Sequence, residues 1–206
     1  MKTAAICLSL VGAAAAFAPA PTQRVSSQVS LTLDDIGGSS APLPNFDPLN
    51  LANWGSDETL LWFRAAELKH GRVAMVATTG YLINAAGFHF PGMLSSDISF
   101  ESLSTMSPPE AWAAVPTAGK AQILTTIFIA ELITEGYQGT HYMKGGDLPT
   151  MVFPKIDFSG VSEVTLARKR TSELNNGRLA QIAILSFLSA HYIPGSVPAL
   201  ANNPAF

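Results

Sequence analysis

Two carboxylates, two arginines and two nitrogen- or oxygen-bearing Lewis bases recur at one spacing in this chain. Glu67, His70 and Arg72 stand in Glu67-Leu68-Lys69-His70-Gly71-Arg72-Val73-Ala74; Glu173, Asn176 and Arg178 stand in Glu173-Leu174-Asn175-Asn176-Gly177-Arg178-Leu179-Ala180, 106 residues later. Each octet runs into an apolar segment, to Ile83 in the first copy and about Ser189 in the second. An acid three residues before an imidazole or amide shares a helical face with it. Carboxylate oxygen, ring nitrogen and amide oxygen are all Lewis bases with a lone pair to give. A plainer alternative is a pair of ion pairs that staple two helices and hold no ligand, but such a staple has no use for His70 and Asn176.

A repeat of this kind implies two structural units related by symmetry. Gly71, Ala74, Gly177 and Ala180 are small residues at helical spacing and allow two backbones to approach closely. The predicted pairs are Glu67 with Arg178 and Glu173 with Arg72. An isolated charge at mid-bilayer costs about 2.5 to 3.5 kcal/mol on insertion scales, and reciprocal pairing is what would let four such groups lie near a membrane.

Composition points to a membrane. Of 206 residues, 48% are hydrophobic and 13% charged, against a usual charged share of about 25%. No apolar run reaches the roughly 18 to 20 uninterrupted residues of a simple anchor, so any spans must pack on something besides lipid. The net charge of −3 offers no basic surface, and nucleic acid is not an expected partner. Residues 1–16, with Lys2 and Ala14-Ala15-Ala16, read as a signal peptide; residues 17–33, with Arg24 and no acid before Asp34, read as a transit segment. Residues 34–206 form the expected mature domain. Cys7 lies in the removed part, so no disulfide is expected.

The elements that would position the repeat follow from turn and cap signals. Asp34 to Asn53, with Pro42, Pro44 and Pro48, reads as an extended surface strap. The first long helix starts after Ser56, with Asp57 and Glu58 in its first turn, and runs to about Ala86, with Trp62 and Phe63 at interfacial depth. Ser107 to Trp112 suits a short surface helix. The second long helix follows Pro116, with Thr117 as cap, and ends at Glu135-Gly136; its centre, Ile123 to Ile129, is apolar on all sides. The third is capped by Ser162 and ends near Ile193. Lys2 and Arg24 precede the first helix, Lys144 and Lys155 lie between the second and third, and Arg168-Lys169-Arg170 opens the third, whereas the loop from Gly87 to Val115 and the C-terminal tail have no Lys or Arg. Three spans put these sets on opposite faces, as the positive-inside rule requires. The fold class expected is therefore an all-α membrane protein of three transmembrane helices, the first and third related by a pseudo-two-fold axis along the membrane normal.

Glu67-x-x-His70-Gly71-Arg72 and Glu173-x-x-Asn176-Gly177-Arg178 resemble the first and third membrane helices of the chlorophyll-binding light-harvesting antenna proteins. Phe90-Pro91-Gly92, Val115-Pro116-x-Ala118-Gly119, Ile156-Asp157-Phe158 and Gln181 are similar to the chlorophyll a/c (fucoxanthin or peridinin) type of algae with red-lineage secondary plastids. Phe17-Ala18-Pro19 resembles their preprotein junction, and the tail from Ile193 to Leu200 is most similar to dinoflagellate or related members. The resemblance implies binding of chlorophyll a, chlorophyll c and a fucoxanthin-, peridinin- or alloxanthin-like carotenoid. It implies that Glu67, His70, Glu173 and Asn176 are axial ligands of chlorophyll magnesium, neutralised where acidic by Arg72 and Arg178. The physics fits, because a Glu held by Arg is ionised and is expected to keep one oxygen free. The family's setting is the plastid thylakoid membrane, with N-terminus and second loop stromal and C-terminus lumenal, beside other antenna subunits, thylakoid lipids and a photosystem I or II core.

Gln181 is a further ligand or a hydrogen-bonding residue inside the helix pair. Glu131 and Glu135 lie one turn apart, where two bare carboxylates would repel. One is expected to hold a pigment and the other to reach the surface, with Glu131 preferred. Family members carry Gln or His at the position of Ala190, with His191 here beside it, so either the helix end is distorted or that chlorophyll is ligated otherwise. His89 and His141 read as surface residues.

No enzyme constellation is visible: the histidines are scattered, no Ser or Cys nucleophile has a base in a known pattern, and no Gly-rich phosphate loop precedes a helix. Three rival functions remain: a photoprotective, energy-dissipating relative whose acids Asp97, Glu101 and Glu110 sense pH, a pigment-free structural protein, and a membrane metalloenzyme.

Overall fold

The computed structural model describes residues 31–36, 38–40, 43–136, 141–144 and 160–201. The signal and transit readings, apart from residues 31–33, lie outside these residues, as do Lys155 and Ile156-Asp157-Phe158.

The described residues form helices and turns, with no strand among them. In chain order they are α1 (Leu33–Ile36), α2 (Asp57–Ala85), α3 (Phe100–Ser104), α4 (Pro108–Ala114), α5 (Thr117–Gly136) and α6 (Glu163–Tyr192), with short 3₁₀ turns at Leu51–Asn53 and Tyr142–Lys144. The three long helices occupy the predicted stretches. Thr117 is the first helical residue of α5 rather than its cap. Ser162 caps α6 by accepting from the Thr165 N–H. The strap differs from a fully extended one: α1 and the turn at Leu51–Asn53 interrupt it, the latter held by Asp47, which accepts from the backbone N–H groups of Ala52 and Leu51. Those two bonds hold the Asp47 carboxyl below its ordinary range. A helix not expected from the sequence is α3, whose N-cap Ser99 accepts from the Ser102 N–H.

The centre of the molecule is the crossing of α2 and α6. A Cβ built on Gly71 would stand 3.1 Å from the Gly177 Cα, and one built on Gly177 3.0 Å from the Gly71 Cα. Any larger residue would force the backbones apart. Ala74 and Ala180 are buried one turn further on, and Thr78 Oγ1 lies 2.7 Å from Ala74 O and 3.2 Å from Ala180 O. Tyr81 and Phe187, also equivalent in the repeat, stack at 5.2 Å between ring centroids. The seam thus follows the i, i+3, i+7 spacing of two helices that exchange equivalent residues.

Among the described residues no single helix is long and apolar enough to cross a membrane; α4 and α5 together would be, but they bend by 105° at their junction. Length is not what α2 and α6 lack, since their 29 and 30 residues correspond to about 44 Å of helix. Apolarity is: α2 carries charges up to Arg72 and α6 up to Arg178, after which neither helix has another Asp, Glu, Lys or Arg. At the α4–α5 bend, Lys120 Nζ donates to Ala113 O at 3.0 Å and lies 5.7 Å from the Trp112 ring centroid.

Candidate functional site

The two motif acids meet the two motif arginines across the crossing. Arg178 Nε donates to Glu67 Oε1 at 2.7 Å, and Arg72 Nε to Glu173 Oε1 at 2.6 Å. These are the pairs the repeat predicts, and they flank the Gly71–Gly177 contact.

The two sites then diverge. Arg64 NH1 donates to Glu67 Oε2 at 2.5 Å, from a side chain only 9% exposed. The free oxygen expected at Glu67 is therefore already in a charge-assisted hydrogen bond, although a carboxylate oxygen has a second lone pair to give. Arg170, the repeat counterpart of Arg64, is exposed and forms no ion pair among the described residues. The difference comes from the strap. Gly38, at φ +85°, brings its backbone over Arg64 and Leu174, and its carbonyl accepts from Arg178 NH1 at 3.3 Å. Strap, α2 and Arg178 of α6 line a cavity of about 520 Å³ whose wall includes the apolar Leu33, Leu43, Phe46 and Phe63 and the polar Asn45, Asp47, Arg64 and Glu67.

His70 and Asn176 are oriented alike. His70 Nδ1 lies 2.7 Å from Ala66 O; a carbonyl only accepts, so Nδ1 carries the proton and Nε2 keeps its lone pair. Asn176 Nδ2 donates to Ser172 O at 2.9 Å, which leaves Oδ1 as its outward base. Both residues are exposed, and both spend an N–H on a carbonyl four residues back, at positions that are themselves equivalent. Second-shell bonds of this kind fix tautomer and direction for a metal ligand. Among the described residues no three His, Cys, Asp or Glu side chains gather as a self-sufficient ion site. Single Lewis bases suit a metal that arrives with its other ligands, as chlorophyll magnesium does, and the donor set fits that group.

The remaining predicted residues fall in three places. Gln181 packs against the crossing, its Nε2 3.8 Å from a Cβ built on Gly71. His191 lies in the last turn of α6, which stays helical through Tyr192, so the helix end is not distorted to bring it into the register of Ala190. Glu131 and Glu135 are not bare: Lys69 Nζ stands 2.6 Å from Glu131 Oε2 and 2.6 Å from Glu135 Oε1. The repulsion expected of them is cancelled by an ammonium from α2. His141, read as a surface residue, is half-buried and lies 3.1 Å from Glu135 Oε2; His89 is exposed. Sequence reasoning missed Arg64, Lys69 and His141. Arg64 alone had a local signal, three residues before Glu67.

A family profile described as chlorophyll A-B binding protein matches residues 33–192. The chain is 38% identical over 191 residues to fucoxanthin-chlorophyll a-c binding protein F, chloroplastic, of Phaeodactylum tricornutum, covering 89% of this chain and 92% of that one. It is 34% identical over 208 residues to the fucoxanthin-chlorophyll a-c binding protein, chloroplastic, of Trieres chinensis (94% and 96% covered). It is also 34% identical over 203 residues to the protein of the same name of Chattonella marina var. antiqua (94% and 88%).

Proposed function

The chain belongs to the chlorophyll A-B binding protein family, and from that premise we propose that it is a light-harvesting antenna protein of a plastid, binding chlorophyll a, chlorophyll c and carotenoids. The observation that carries this reading is the matched presentation of His70 Nε2 and Asn176 Oδ1 beside two acids, each already neutralised by the other helix's arginine. The pigments supply absorption and excitation transfer; the polypeptide supplies position.

In this reading Glu67, His70, Glu173 and Asn176 hold chlorophyll magnesium, with Gln181 and His191 as further ligands. Arg72 and Arg178 hold the two acids in place across the crossing. Of the two α5 acids, Glu135 has an oxygen on Lys69 and the other on His141, whereas Glu131 is bonded through one oxygen among the described residues and is half-exposed. Glu131 is the better pigment ligand on that ground. The three long helices are the membrane spans, with α2 and α6 crossing about an axis along the membrane normal, residues 1–16 and 17–33 as targeting segments, and the N-terminus stromal. Exposed Val73, Val76, Leu179, Ile182 and Leu185, and an α5 that buries no residue, support faces covered by pigment and thylakoid lipid. Excitation then passes to neighbouring antenna subunits and a photosystem core.

The test is the absorption spectrum and pigment extract of the native complex. Chlorophyll a and c bands with carotenoid, at several pigments per polypeptide, are expected; a colourless complex overturns the proposal. Fluorescence lifetimes at neutral and acidic pH separate harvesting from dissipation, a shortened lifetime on acidification marking the latter.

A further inference from the structure

Helix α5 buries none of its 20 residues, so packing does not hold it in place. Its ionic ties among the described residues converge on one point. Lys69 of α2 puts its Nζ 2.6 Å from an oxygen of Glu131 and 2.6 Å from an oxygen of Glu135. The second oxygen of Glu135 faces His141 Nε2 at 3.1 Å, while His141 Nδ1 accepts from the Met143 N–H at 3.3 Å. Because Nδ1 accepts, Nε2 carries the proton and donates to Glu135. The His141 ring lies 4.2 Å from that of Tyr142, which is buried.

An ammonium is suited to this position: it is a compact charge with three donors, able to sit between two carboxylates one turn apart. Without it, the like charges of Glu131 and Glu135 would oppose the helix that carries them. The other helix of the repeat gives a second observation. Asn175, the counterpart of Lys69, accepts from Ser40 Oγ at 3.2 Å and so takes hold of the strap. This repeat position points away from the crossing on both helices, toward whichever unrepeated element lies alongside.

We infer that Lys69, clamped between Glu131 and Glu135 with His141 closing the far side of Glu135, is the positioning residue that sets the distance and register of α5 against the α2–α6 pair, and thereby the pigment seats between them. The last clause rests on the antenna reading; the latch itself does not.

The experiment uses the complete chain with Cys7 replaced by Ser, spin labels on Val76→Cys and Leu124→Cys, and reconstitution with chlorophylls a and c and carotenoid. Pulsed electron resonance reads the α2–α5 distance, and pigment extraction reads chlorophyll per polypeptide. The parent chain should give one narrow distance distribution. Lys69→Met should at least double its width and lose one or more chlorophylls, and Lys69→Arg should restore both. Glu135→Gln, a milder change that leaves Lys69 one carboxylate, should give an intermediate width and serves if Lys69→Met does not assemble. A width unchanged in Lys69→Met, or in Glu135→Gln where that variant stands in, overturns the latch, as does a broadening that Lys69→Arg fails to reverse. Failure of the antenna reading shows separately, as a parent chain that takes up no chlorophyll, and the distance comparison then still decides the latch.

Discussion

Arg64 closes on the same carboxylate that Arg178 reaches from the opposite helix, so Glu67 is held by two guanidinium groups where Glu173 is held by Arg72 among the described residues. The pseudo-symmetry of the repeat is therefore broken in its electrostatics. Removing one arginine should not cost the same on the two sides. Arg72→Leu strips Glu173 of the cation described for it and should destabilise the assembled protein by about 1.5 to 3 kcal/mol, the range of a hydrogen bond to a charged group. Arg178→Leu leaves Arg64 on Glu67 and should cost less. Thermal denaturation of the two reconstituted variants checks the order, and an equal loss would mean that Arg64 contributes nothing.

At the crossing, Gly71→Val places two methyl groups where a Cβ alone already meets the Gly177 backbone at 3.1 Å. Overpacking of this kind costs about 1 to 3 kcal/mol, and here it also pulls both Glu–Arg pairs out of reach. The expected result is a drop in reconstitution yield larger than that of Gly80→Val, since a Cβ at Gly80 meets nothing within 4 Å.

His70→Ala and Asn176→Ala should each remove one chlorophyll per polypeptide while leaving the thermal transition of the helix pair within about 0.5 kcal/mol, because neither side chain crosses to the other helix. Asn176→His should restore the lost pigment. Chromatography of the extracted pigments against protein reads the result. A full count in both alanine variants would count against axial ligation at these positions.

Glu110 bears on the dissipation alternative. The Ser107 hydroxyl and N–H donate to Glu110 Oε2 at 2.7 and 3.2 Å, and these bonds hold the carboxyl below its ordinary value. A depressed folded value means that its contribution to α4 is present above the unfolded pKa and is lost only as pH falls through the lower folded one. Mild acidification should leave Glu110 ionised and α4 closed. Following the Glu110 carboxyl carbon by NMR titration tests this, and a midpoint above the ordinary carboxylate value would reopen Glu110 as a pH sensor.

Much of the site was legible because it is written twice. Gly71 with Gly177 and Tyr81 with Phe187 could be paired by counting 106 positions, and Glu67 with Arg178 and Glu173 with Arg72 by matching each motif's acid with the other motif's arginine. Lys69 could not, because its partners lie 62 and 66 residues away in an unrepeated helix. Nothing periodic connects the two stretches. His141 was misread for the same reason, its role being set by where the turn at Tyr142–Lys144 lands. The five residues of α3 escaped because they are too few to show a period; only the Ser99 cap announces them. The strap's effect on Arg64 depends on the positive φ of Gly38, a backbone property that a glycine permits but does not announce.

The uncovered faces of α5 have a consequence for the life of the protein in the cell. On the antenna reading, a helix that buries none of its own residues and is tied through Lys69 near its C-terminal end gains its fixed place when pigment fills the space beside it. Under that reading, chain made without enough chlorophyll would keep a loosely held helix and should be cleared faster than chain made with it.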